Sequence, residues 1–257
     1  LTELAVSPAF PGDGTLFVGG TTGIWRSTTH GASWVKLAGF SGSANHLALS
    51  PNYAADGTLL VGNYNGVSRS TNRGDSFGPT TGLPASIVYS VALSPGFAAD
   101  RTAFAGSVGG LFRSTNGGES WSAVDIGGPA IQIQSVALSP SFASDHTGFT
   151  SSYGRGFLKT TNGGETWVPI TNTVAGLYTL FVTVSPNYAV DRTLLGIGNT
   201  AGIVRSTNGG STWAVMNTGL PGCTINTLFF SPTYASDKTA YVGTSGGVFA
   251  SVDGGAW

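Results

Sequence analysis

A nine-residue motif recurs six times along this chain of 257 residues, and it limits the possible folds more than any other feature. Each copy contains Ser-Pro, an aromatic residue, Asp and Thr, and the copies begin at Ser7, Ser50, Ser94, Ser139, Ser185 and Ser231. Spacings of 43, 44, 45, 46 and 46 residues indicate a repeat protein, in which each unit buries its apolar faces only against its neighbours. We predict one domain of six repeats, at about residues 1–43, 44–87, 88–132, 133–178, 179–224 and 225–257.

A second motif, "LFRSTNGGESW" from Leu111 to Trp121, also occurs once in each repeat. A single Asn-Gly-Gly could form an anion-binding nest of backbone N–H groups. Six copies favour an architectural hairpin turn, in which Asn and Gly supply positive φ angles. We expect the hydroxyl of Ser114 or Thr115 to bond the turn backbone and Trp121 to start an outer strand and fill the space between repeats.

Each repeat contains four short runs rich in Val, Leu, Phe and Thr and bounded by Gly, Pro or Asn-Gly, as expected for strands. No segment is a convincing amphipathic helix. Four antiparallel strands repeated every 40 to 50 residues predict an all-β fold, which is either a β-propeller with six four-stranded blades or six blades of a larger ring. An open superhelix is disfavoured because it would expose the apolar faces of blades one and six.

The second motif resembles the Asp-box, or BNR, repeat of sialidase-like propellers. The matching positions are Ser114, Asn116, Gly118 and Trp121 in the third repeat, and Ser206, Asn208, Gly210 and Trp213 in the fifth. The family includes sialidases, xyloglucan hydrolases, sortilin-type receptors and photosystem assembly factors of the Ycf48 type. The resemblance implies that the box turns are scaffold, on the face opposite an active site.

Several copies depart from the Asp-box pattern. Asn replaces the box Asp in four copies, Thr29 stands there in the first, and Asp253 alone is expected to keep the acid. Phe77 replaces the second box tryptophan, and the last box is one residue short. We expect a processed, truncated or partial chain with an incomplete last blade, whose outer strand is absent, supplied by other residues of the protein or contributed by a partner.

Composition limits the possible partners. The net charge is −1 and charged residues make up 9%, against about 25% in an ordinary domain. No basic stripe points to nucleic acid, and the longest apolar run, residues 177–184, is too short to span a membrane. Cys223 has no partner for a disulfide. The neutral, Gly-rich and hydroxyl-rich composition favours an exported bacterial protein, in the periplasm, at the cell surface or outside the cell.

The carboxylates do not suggest a hydrolase, because a glycosidase needs two of them facing each other across a cleft. Six of the twelve are repeat aspartates, interpreted as turn acceptors before the second strand: Asp13, Asp56, Asp100, Asp145, Asp191 and Asp237. Basic residues also occupy a repeat position, at the end of the third strand: Arg26, Arg69, Arg113, Lys159 and Arg205. They are either solvated or locally paired, or they form a basic ring for an acidic partner. We predict a protein that is not an enzyme.

No metal or cofactor site is predicted. His30, His46 and His146 lie in different repeats without a second ligand nearby, and we expect them at the surface. Cys223 is expected to be a buried or half-buried thiol rather than a nucleophile. The chain has no P-loop.

The turns between the second and third strands vary most and are the candidate binding residues. They contain Asn63, Tyr64 and Asn65 in blade two, Tyr153 and Arg155 in blade four, and Asn199 in blade five. Tyrosine and arginine are common at interface hot spots, and aromatic faces with Asn amides also suit sugar rings. The loops that enter each first strand, such as "NTVAGLYT" and "NTGLPGCTIN", could pack over the blades or meet a partner. Trp25 is expected to fill the core.

Three functions are consistent with this sequence. The first is a non-catalytic exported scaffold that binds protein partners or assists assembly. The second is a carbohydrate-binding or glycosidase-related propeller. The third is a structural subunit of a surface layer or filament, which would associate through blade edges.

Overall fold

The structure is a computed structural model that describes residues 3–171, 176–253 and 256–257. It divides into two compact units, residues 1–124 and 125–257. The prediction of one domain stays a prediction. Each unit consists of antiparallel sheets, and we call each sheet a blade.

The first unit contains blades 1 to 3. Blade 1 has strands β1 (Glu3–Val6), β2 (Leu16–Gly20), β3 (Gly23–Ser27) and β4 (Val35–Lys36). Blade 2 has β5 (His46–Leu49), β6 (Leu59–Asn63), β7 (Gly66–Ser70) and β8 (Gly78–Pro79). Blade 3 has β9 (Val88–Leu93), β10 (Ala103–Ser107), β11 (Gly110–Ser114) and β12 (Ser122–Ala123).

The second unit contains blades 4 to 6. Blade 4 has β13 (Gln132–Leu138), β14 (Gly148–Tyr153), β15 (Gly156–Thr160) and β16 (Val168–Pro169). Blade 5 has β17 (Thr179–Val184), β18 (Leu194–Gly198), β19 (Gly202–Ser206) and β20 (Ala214–Val215). In the described residues blade 6 has three strands, β21 (Ile225–Phe230), β22 (Thr239–Thr244) and β23 (Gly247–Val252).

Strands follow sequence order within every blade, so each blade is a meander, as predicted. The register repeats as well: Leu4 pairs with Val18 in blade 1, and Leu47 pairs with Val61 in blade 2. Because the meander reverses at every turn, the second-to-third-strand turn lies at the opposite end of a blade from the box turn. We call these the turn end and the box end.

A one-turn helix of four residues lies between the first and second strands of each blade, where the sequence did not predict a helix. The helices are α1 (Phe10–Asp13), α2 (Tyr53–Asp56), α3 (Phe97–Asp100), α4 (Phe142–Asp145), α5 (Tyr188–Asp191) and α6 (Tyr234–Asp237). Four residues are too few to show a helical period, so the pattern was not visible in the sequence. Each helix ends at a residue in the left-handed conformation: Gly14, Gly57, Arg101, His146, Arg192 and Lys238.

The repeat aspartates close these helices, which confirms their interpretation as turn acceptors. In blade 3, Asp100 accepts the Thr102 backbone N–H at 2.8 Å and the Ser94 hydroxyl at 2.5 Å. The same two bonds recur in blade 1, where Asp13 accepts from Thr15 at 2.8 Å and Ser7 at 2.6 Å. The Ser-Pro motif therefore encodes one local hydrogen-bonded turn.

The box turns are also closed locally. The buried Ser114 hydroxyl accepts the Gly118 N–H at 2.9 Å and donates to Asn116 Oδ1 at 2.9 Å. Asn116 Oδ1 accepts the Ser120 N–H at 3.0 Å, and its Nδ2 donates to the Ser120 hydroxyl at 2.8 Å. Since the amide both donates and accepts, Asn serves this turn as fully as the Asp of the family pattern.

The core lies between successive blades of each unit. Trp121 is 3% exposed and packs in one cluster with Leu60 of blade 2 and Phe112 of blade 3. In the second unit Trp213 stacks on Phe157 of the preceding blade, with ring centroids 4.6 Å apart. The prediction that box tryptophans fill the space between blades is confirmed for these two residues.

The basic residues of the third strands link successive blades. Arg26 donates to the Arg73 carbonyl at 2.7 Å and lies 2.9 Å from the Asp75 carboxylate of blade 2. Comparable bonds join Arg69 to the Gly117 carbonyl, Lys159 to the Gly209 carbonyl and Arg205 to the Asp253 carbonyl. These four side chains are locally paired, as the first of the two readings expected. We call each such bond a blade staple.

The last box differs from its expected form. Asp253 has a φ of 56°, and its N–H donates to the Lys238 carbonyl at 3.0 Å. In blade 3 the equivalent bond comes from Gly117, one position after the box Asn. The expectation that Asp253 keeps the box acid is therefore wrong, because the missing residue moves it into the next position of the turn.

Candidate functional site

An exposed aromatic cluster lies at the turn end of blades 4 and 5. Tyr153, Leu177 and Tyr178 are 49%, 62% and 46% exposed, and we call them the tyrosine patch. The two tyrosine rings lie 4.5 Å apart at an interplanar angle of 54°. Each ring therefore covers part of the other and leaves the rest of its surface to solvent.

Backbone hydrogen bonds hold the tyrosine patch in place. The Leu177 carbonyl accepts the N–H groups of Gly154 and Gly156, at 2.9 and 2.7 Å. Tyr153 and Tyr178 also form an isolated antiparallel bridge. The turn of blade 4 is thus clamped onto the segment that enters blade 5, so the aromatic rings are presented by an ordered backbone.

Arg155, a predicted binding residue, serves this clamp. Its Nη1 donates to the Ile126 carbonyl at 2.8 Å, and its backbone N–H donates to the Ser152 hydroxyl at 3.2 Å. The guanidinium is half-buried. Its observed contacts anchor the turn to the segment before β13.

A cleft of about 570 Å³ lies beside the tyrosine patch, at the turn end of blades 5 and 6. The Tyr178 carbonyl accepts the Asn199 N–H at 2.9 Å, which joins the patch to the cleft wall. The lining is mixed, with apolar and uncharged polar residues: Leu180, Ile197, Gly198, Asn199, Thr200, Gly202, Asn217, Leu220, Pro221, Gly222, Cys223, Thr224 and Ile225. None of these lining residues is an acid, a base or a histidine.

The Asn217 amide sets the shape of one cleft wall. Its Oδ1 accepts the Ile203 N–H at 2.9 Å and its Nδ2 donates to the Ala201 carbonyl at 2.7 Å. Gly202 has a φ of 72°, and a Cβ there would lie 2.5 Å from Asn217 Oδ1. Glycine is required at this turn both for its conformation and for the close approach of the amide. Cys223 is half-buried in the cleft, as predicted.

The predicted residues of blade 2 form a turn in the first unit. Asn63 Oδ1 accepts the Asn65 N–H at 2.7 Å, and its Nδ2 donates to the Ser68 hydroxyl at 3.0 Å. Asn63 therefore acts within its own turn. Tyr64 is 55% exposed, and Asn65 is also exposed.

Concave sites at the box end are products of the repeat. One, of about 410 Å³, lies between blades 1 and 2 and contains Arg26, Arg73 and Asp75, which already pair in a blade staple. Burial raises the pKa of Tyr53 in this site to about 12 and keeps its hydroxyl neutral. A smaller site of about 140 Å³ recurs at the equivalent place between blades 2 and 3. Because the two concave sites are lined by the same repeat positions, they are features of the repeated scaffold.

The histidines are not all at the surface. His30 and His146 are exposed, but His46 is half-buried on β5, so the surface prediction is wrong for it. Its Nδ1 accepts the Val91 N–H at 3.4 Å, and burial lowers its pKa to about 4.

Within residues 3–171, 176–253 and 256–257, no group of three or more His, Cys, Asp or Glu side chains is placed to hold a metal. The helices of this described part are also too short to cross a bilayer.

Sequence reasoning missed the second half of the tyrosine patch. It named the entering loop "NTVAGLYT" but did not select Leu177 or Tyr178 from it. Residues 172–175 of that loop lie outside the described residues. The sequence signal that could have identified these two residues is Leu-Tyr directly before a strand. The pairing that brings Tyr178 to Tyr153 has no local sequence pattern.

Comparisons with known proteins identify the fold. No protein-family model and no curated protein sequence matches the chain. Solved structures do: an ancestral GH74 enzyme has a TM-score of 0.75 at 20% identity, over 95% of this chain and 38% of that one. The chain has the fold of an Asp-box-type β-propeller with six blades. A GH74 xyloglucanase from Xanthomonas campestris gives a TM-score of 0.77 at 18% identity, over 99% of this chain and 44% of that one.

A peptide-bound structure also has this fold. A YCF48 structure with a bound D1 peptide has a TM-score of 0.66 at 18% identity, over 94% of this propeller and 76% of that chain. This propeller thus spans less than half of the two GH74 chains. Identities of 18 to 20% show the fold alone.

Proposed function

We propose that this propeller is a non-catalytic scaffold that binds a protein partner through the turn end of its second unit. The observation that carries the proposal is the tyrosine patch, in which Tyr153, Leu177 and Tyr178 are exposed together on a clamped backbone. Tyrosines are enriched at binding hot spots because they bring a large contact area and few rotatable bonds.

The cleft beside the patch suggests the character of the bound segment. Its lining has no charged side chain, so a charged group of the partner would lose its hydration there without gaining a counter-charge. We therefore expect an uncharged segment of the partner in the cleft, with an apolar or aromatic side chain against Tyr178. YCF48, which has the same fold, is known with a bound peptide.

The contacts of the carboxylates support a non-catalytic role. Asp100 and its equivalents close turns, Asp75 and Glu119 join blade staples, and Asp125 accepts the Gly127 N–H at 2.8 Å. A carboxylate pair facing across the cleft would be needed for glycoside hydrolysis, and none lines it.

Carbohydrate binding is the second candidate, favoured by the polar part of the cleft. Asn199, Thr200 and Thr224 add an amide and hydroxyl groups to the lining, and the exposed tyrosine rings lie beside them. Such a surface can bond hydroxyl groups and pack against the apolar face of a sugar ring. One protein with this fold is a xyloglucanase.

Peptide and glycan arrays probed with the same labelled protein test both candidates. Tyr178→Ala is the informative variant, and Tyr64→Ala is its control, because Tyr64 is an exposed tyrosine on the turn of another blade. Binding to uncharged peptides that is lost in Tyr178→Ala and kept in Tyr64→Ala supports the protein scaffold. The same pattern on neutral glycans favours the second candidate. Binding that neither variant changes, or turnover of a glycoside, contradicts the proposed site.

We also propose an exported location, supported by the low charge and the Gly-rich and hydroxyl-rich composition. Fractionation of the source cells with an antibody to this chain checks it. A signal confined to the cytoplasmic fraction would overturn it.

A further inference from the structure

One carboxylate neutralises two arginines at the box end of blades 2 and 3. Arg69 Nη2 and Arg101 Nη2 lie 3.3 and 3.4 Å from the same oxygen of Glu119. Arg69 lies near the end of β7, Arg101 follows α3, and Glu119 stands five residues after the box serine of blade 3. With the repeat aspartate Asp56, which lines the same concave site, the place has two acids and two bases.

The equivalent place between blades 4 and 5 has the two bases but lacks this acid. Lys159 and Arg192 occupy the repeat positions of the two arginines, and Ser211 occupies the position of the acid. The repeat aspartate Asp145 is present, but its two oxygens already accept bonds within its own turn. Two cations therefore face one carboxylate, and the site has a net positive charge.

Lys159 has donor capacity left for a ligand. Its Nζ donates to the Gly209 carbonyl at 3.1 Å, and an ammonium group has three N–H donors. Burial lowers the pKa of Lys159, and the neighbouring charge of Arg192 lowers it further. This direction is expected when two cations lie together without a second carboxylate to offset them.

Both cations also lie over aromatic rings. Lys159 Nζ is 5.5 Å from the centroid of Phe149, and the Arg192 guanidinium carbon is 5.4 Å from the centroid of Tyr188. In blade 1 a lysine lies over Trp25 in the same way, and this tryptophan is half-buried rather than in the core, so the expectation for it is wrong. Contacts of this kind are attractive but leave the formal charge in place.

A buried tyrosine hydroxyl lies beside the two cations. Tyr188 is fully buried, and its hydroxyl has no hydrogen-bond partner of ordinary geometry among the described residues. The hydroxyls of Tyr53 and Tyr234, at the same repeat position, are both bonded. A Cβ at Gly209 would lie 3.0 Å from the Tyr188 hydroxyl and 3.6 Å from Lys159 Nζ. The hydroxyl and the ammonium group thus converge on one small space.

The Tyr188 hydroxyl is a donor that lacks an acceptor. Burial raises its pKa, so the hydroxyl stays protonated. A buried donor without a partner costs free energy, which an anion held beside it would recover.

We propose that Lys159, Tyr188 and Arg192 bind a small tetrahedral oxyanion, inorganic phosphate or sulfate. We call these three residues the basic cluster. The anion takes the place of the missing carboxylate, accepts the Tyr188 hydroxyl, and pairs with the ammonium and guanidinium groups. A tetrahedral oxyanion has acceptors in several directions, so it suits donors from three separate segments better than a planar carboxylate does. The basic cluster is at the box end, so the inference stands apart from the tyrosine patch and the proposed function.

Isothermal titration calorimetry of the 257-residue chain with sodium phosphate, at constant ionic strength, tests the proposal. We expect phosphate to bind saturably and sulfate to compete with it, while acetate and chloride bind much more weakly. Absence of saturable binding overturns the proposal. Acetate or chloride that binds as tightly as phosphate also overturns it, since only general screening of charge would then be at work.

Ser211→Glu restores the acid that blade 3 has, and Ser211→Gln is the matched control with the same size and no charge. Ser211 is exposed, so both variants should fold. Phosphate affinity should fall at least about tenfold in Ser211→Glu and stay within about twofold of wild type in Ser211→Gln. Equal losses in the two variants overturn the proposal.

Tyr188→Phe tests the role of the hydroxyl. Phe97 and Phe142 occupy the same repeat position, so phenylalanine fits the fold, and melting without phosphate should not fall. Phosphate affinity should fall about tenfold, because a hydrogen bond to a charged group is lost. Tyr53→Phe is the control and should bind phosphate as wild type does, because its site already contains Asp75. Unchanged affinity in Tyr188→Phe, with folding confirmed by circular dichroism, overturns the site.

Discussion

The two ends of the blades use polar side chains in opposite ways. At the box end, Ser114, Asn116 and Asp100 direct their hydrogen bonds into their own turns. At the turn end, Tyr64, Tyr153 and Asn199 are exposed. The comparison shows that a polar residue repeated in each blade builds the scaffold. Of the residues present in one blade, some also bond within the structure, as Asn63 does, and others, such as Tyr153, stay available for recognition.

The largest effect is expected from Asp100→Ala. The change removes the acceptor for the Thr102 N–H and the buried Ser94 hydroxyl, so the free energy of unfolding should fall by about 2 to 4 kcal/mol. Urea unfolding followed by tryptophan fluorescence measures it. Asp100→Asn keeps one acceptor and should lose about half as much. If Asp100→Ala has the same free energy of unfolding as wild type, the box end does not differ from the turn end in the way stated here.

Ser114→Ala should have the next largest effect. It leaves the buried Gly118 N–H without its acceptor and should cost about 1 to 3 kcal/mol of stability. Thr115→Ala is the control, because this neighbouring hydroxyl is exposed and should change stability by less than about 0.5 kcal/mol. Equal losses in the two variants, measured by urea unfolding, would show that the box hydroxyl does not close the turn.

His46 should make stability depend on pH. Burial lowers its folded pKa from 6.5 to about 4, and a protonated Nδ1 cannot accept the Val91 N–H. Its contribution is fully present above pH 6.5 and is lost as the pH falls towards 4, with a loss of about 3 kcal/mol at pH 4. Melting of wild type and His46→Gln between pH 7 and 4 should show a shallower decline in the variant.

Glu3 should make stability depend on pH in the direction opposite to His46, and it therefore serves as a control. Burial raises its folded pKa from 4.5 to about 7, so its contribution is present below pH 4.5 and is lost as the pH rises through 7. Glu3→Gln should therefore gain stability relative to wild type at pH 8 but not at pH 4. Identical pH profiles in wild type and both variants would contradict the assignment of these shifts to burial.

The smallest effect on stability is expected at the turn end. Asn199→Ala removes an exposed amide while its backbone N–H still bonds Tyr178, so stability should change by less than about 0.5 kcal/mol. Binding of the Asn199→Ala variant to the peptide or glycan arrays should fall, because Asn199 lines the cleft. A large stability loss with unchanged binding would reverse the roles assigned to the two ends.

Repetition explains why most of the fold could be predicted. Six copies of Ser-Pro, Asp-Thr and box turns place strands and turns in register, and the structure has those strands. The one-turn helices were missed because four residues are too few to repeat an apolar pattern with a helical period. Asp253 was misplaced because a deletion of one residue shifts a turn without changing its composition.

The candidate site could be predicted only in part, because it depends on contacts between blades. Tyr153 was selected as an exception among the repeats, but Tyr178 joins it through an isolated bridge from the segment that enters the next blade. Arg155 was selected for its charge, yet it bonds a distant carbonyl. The sequence identifies the residues that differ from the repeat. Packing between segments decides which other residues they contact.

The left-handed residues after the repeat aspartates have a consequence for protein engineering. Glycine holds this conformation in α1 and α2, whereas larger residues hold it elsewhere, at Arg101, His146, Arg192 and Lys238. A left-handed side chain costs roughly 1 kcal/mol, and residues this far apart along the chain contribute almost independently. Glycine at His146, whose side chain makes no hydrogen bond or ion pair among the described residues, thus offers a route to a more heat-resistant propeller without altering the turn end. At Arg101 the same change also removes the side-chain bonds to the Asn116 carbonyl and to Glu119, which offsets the gain.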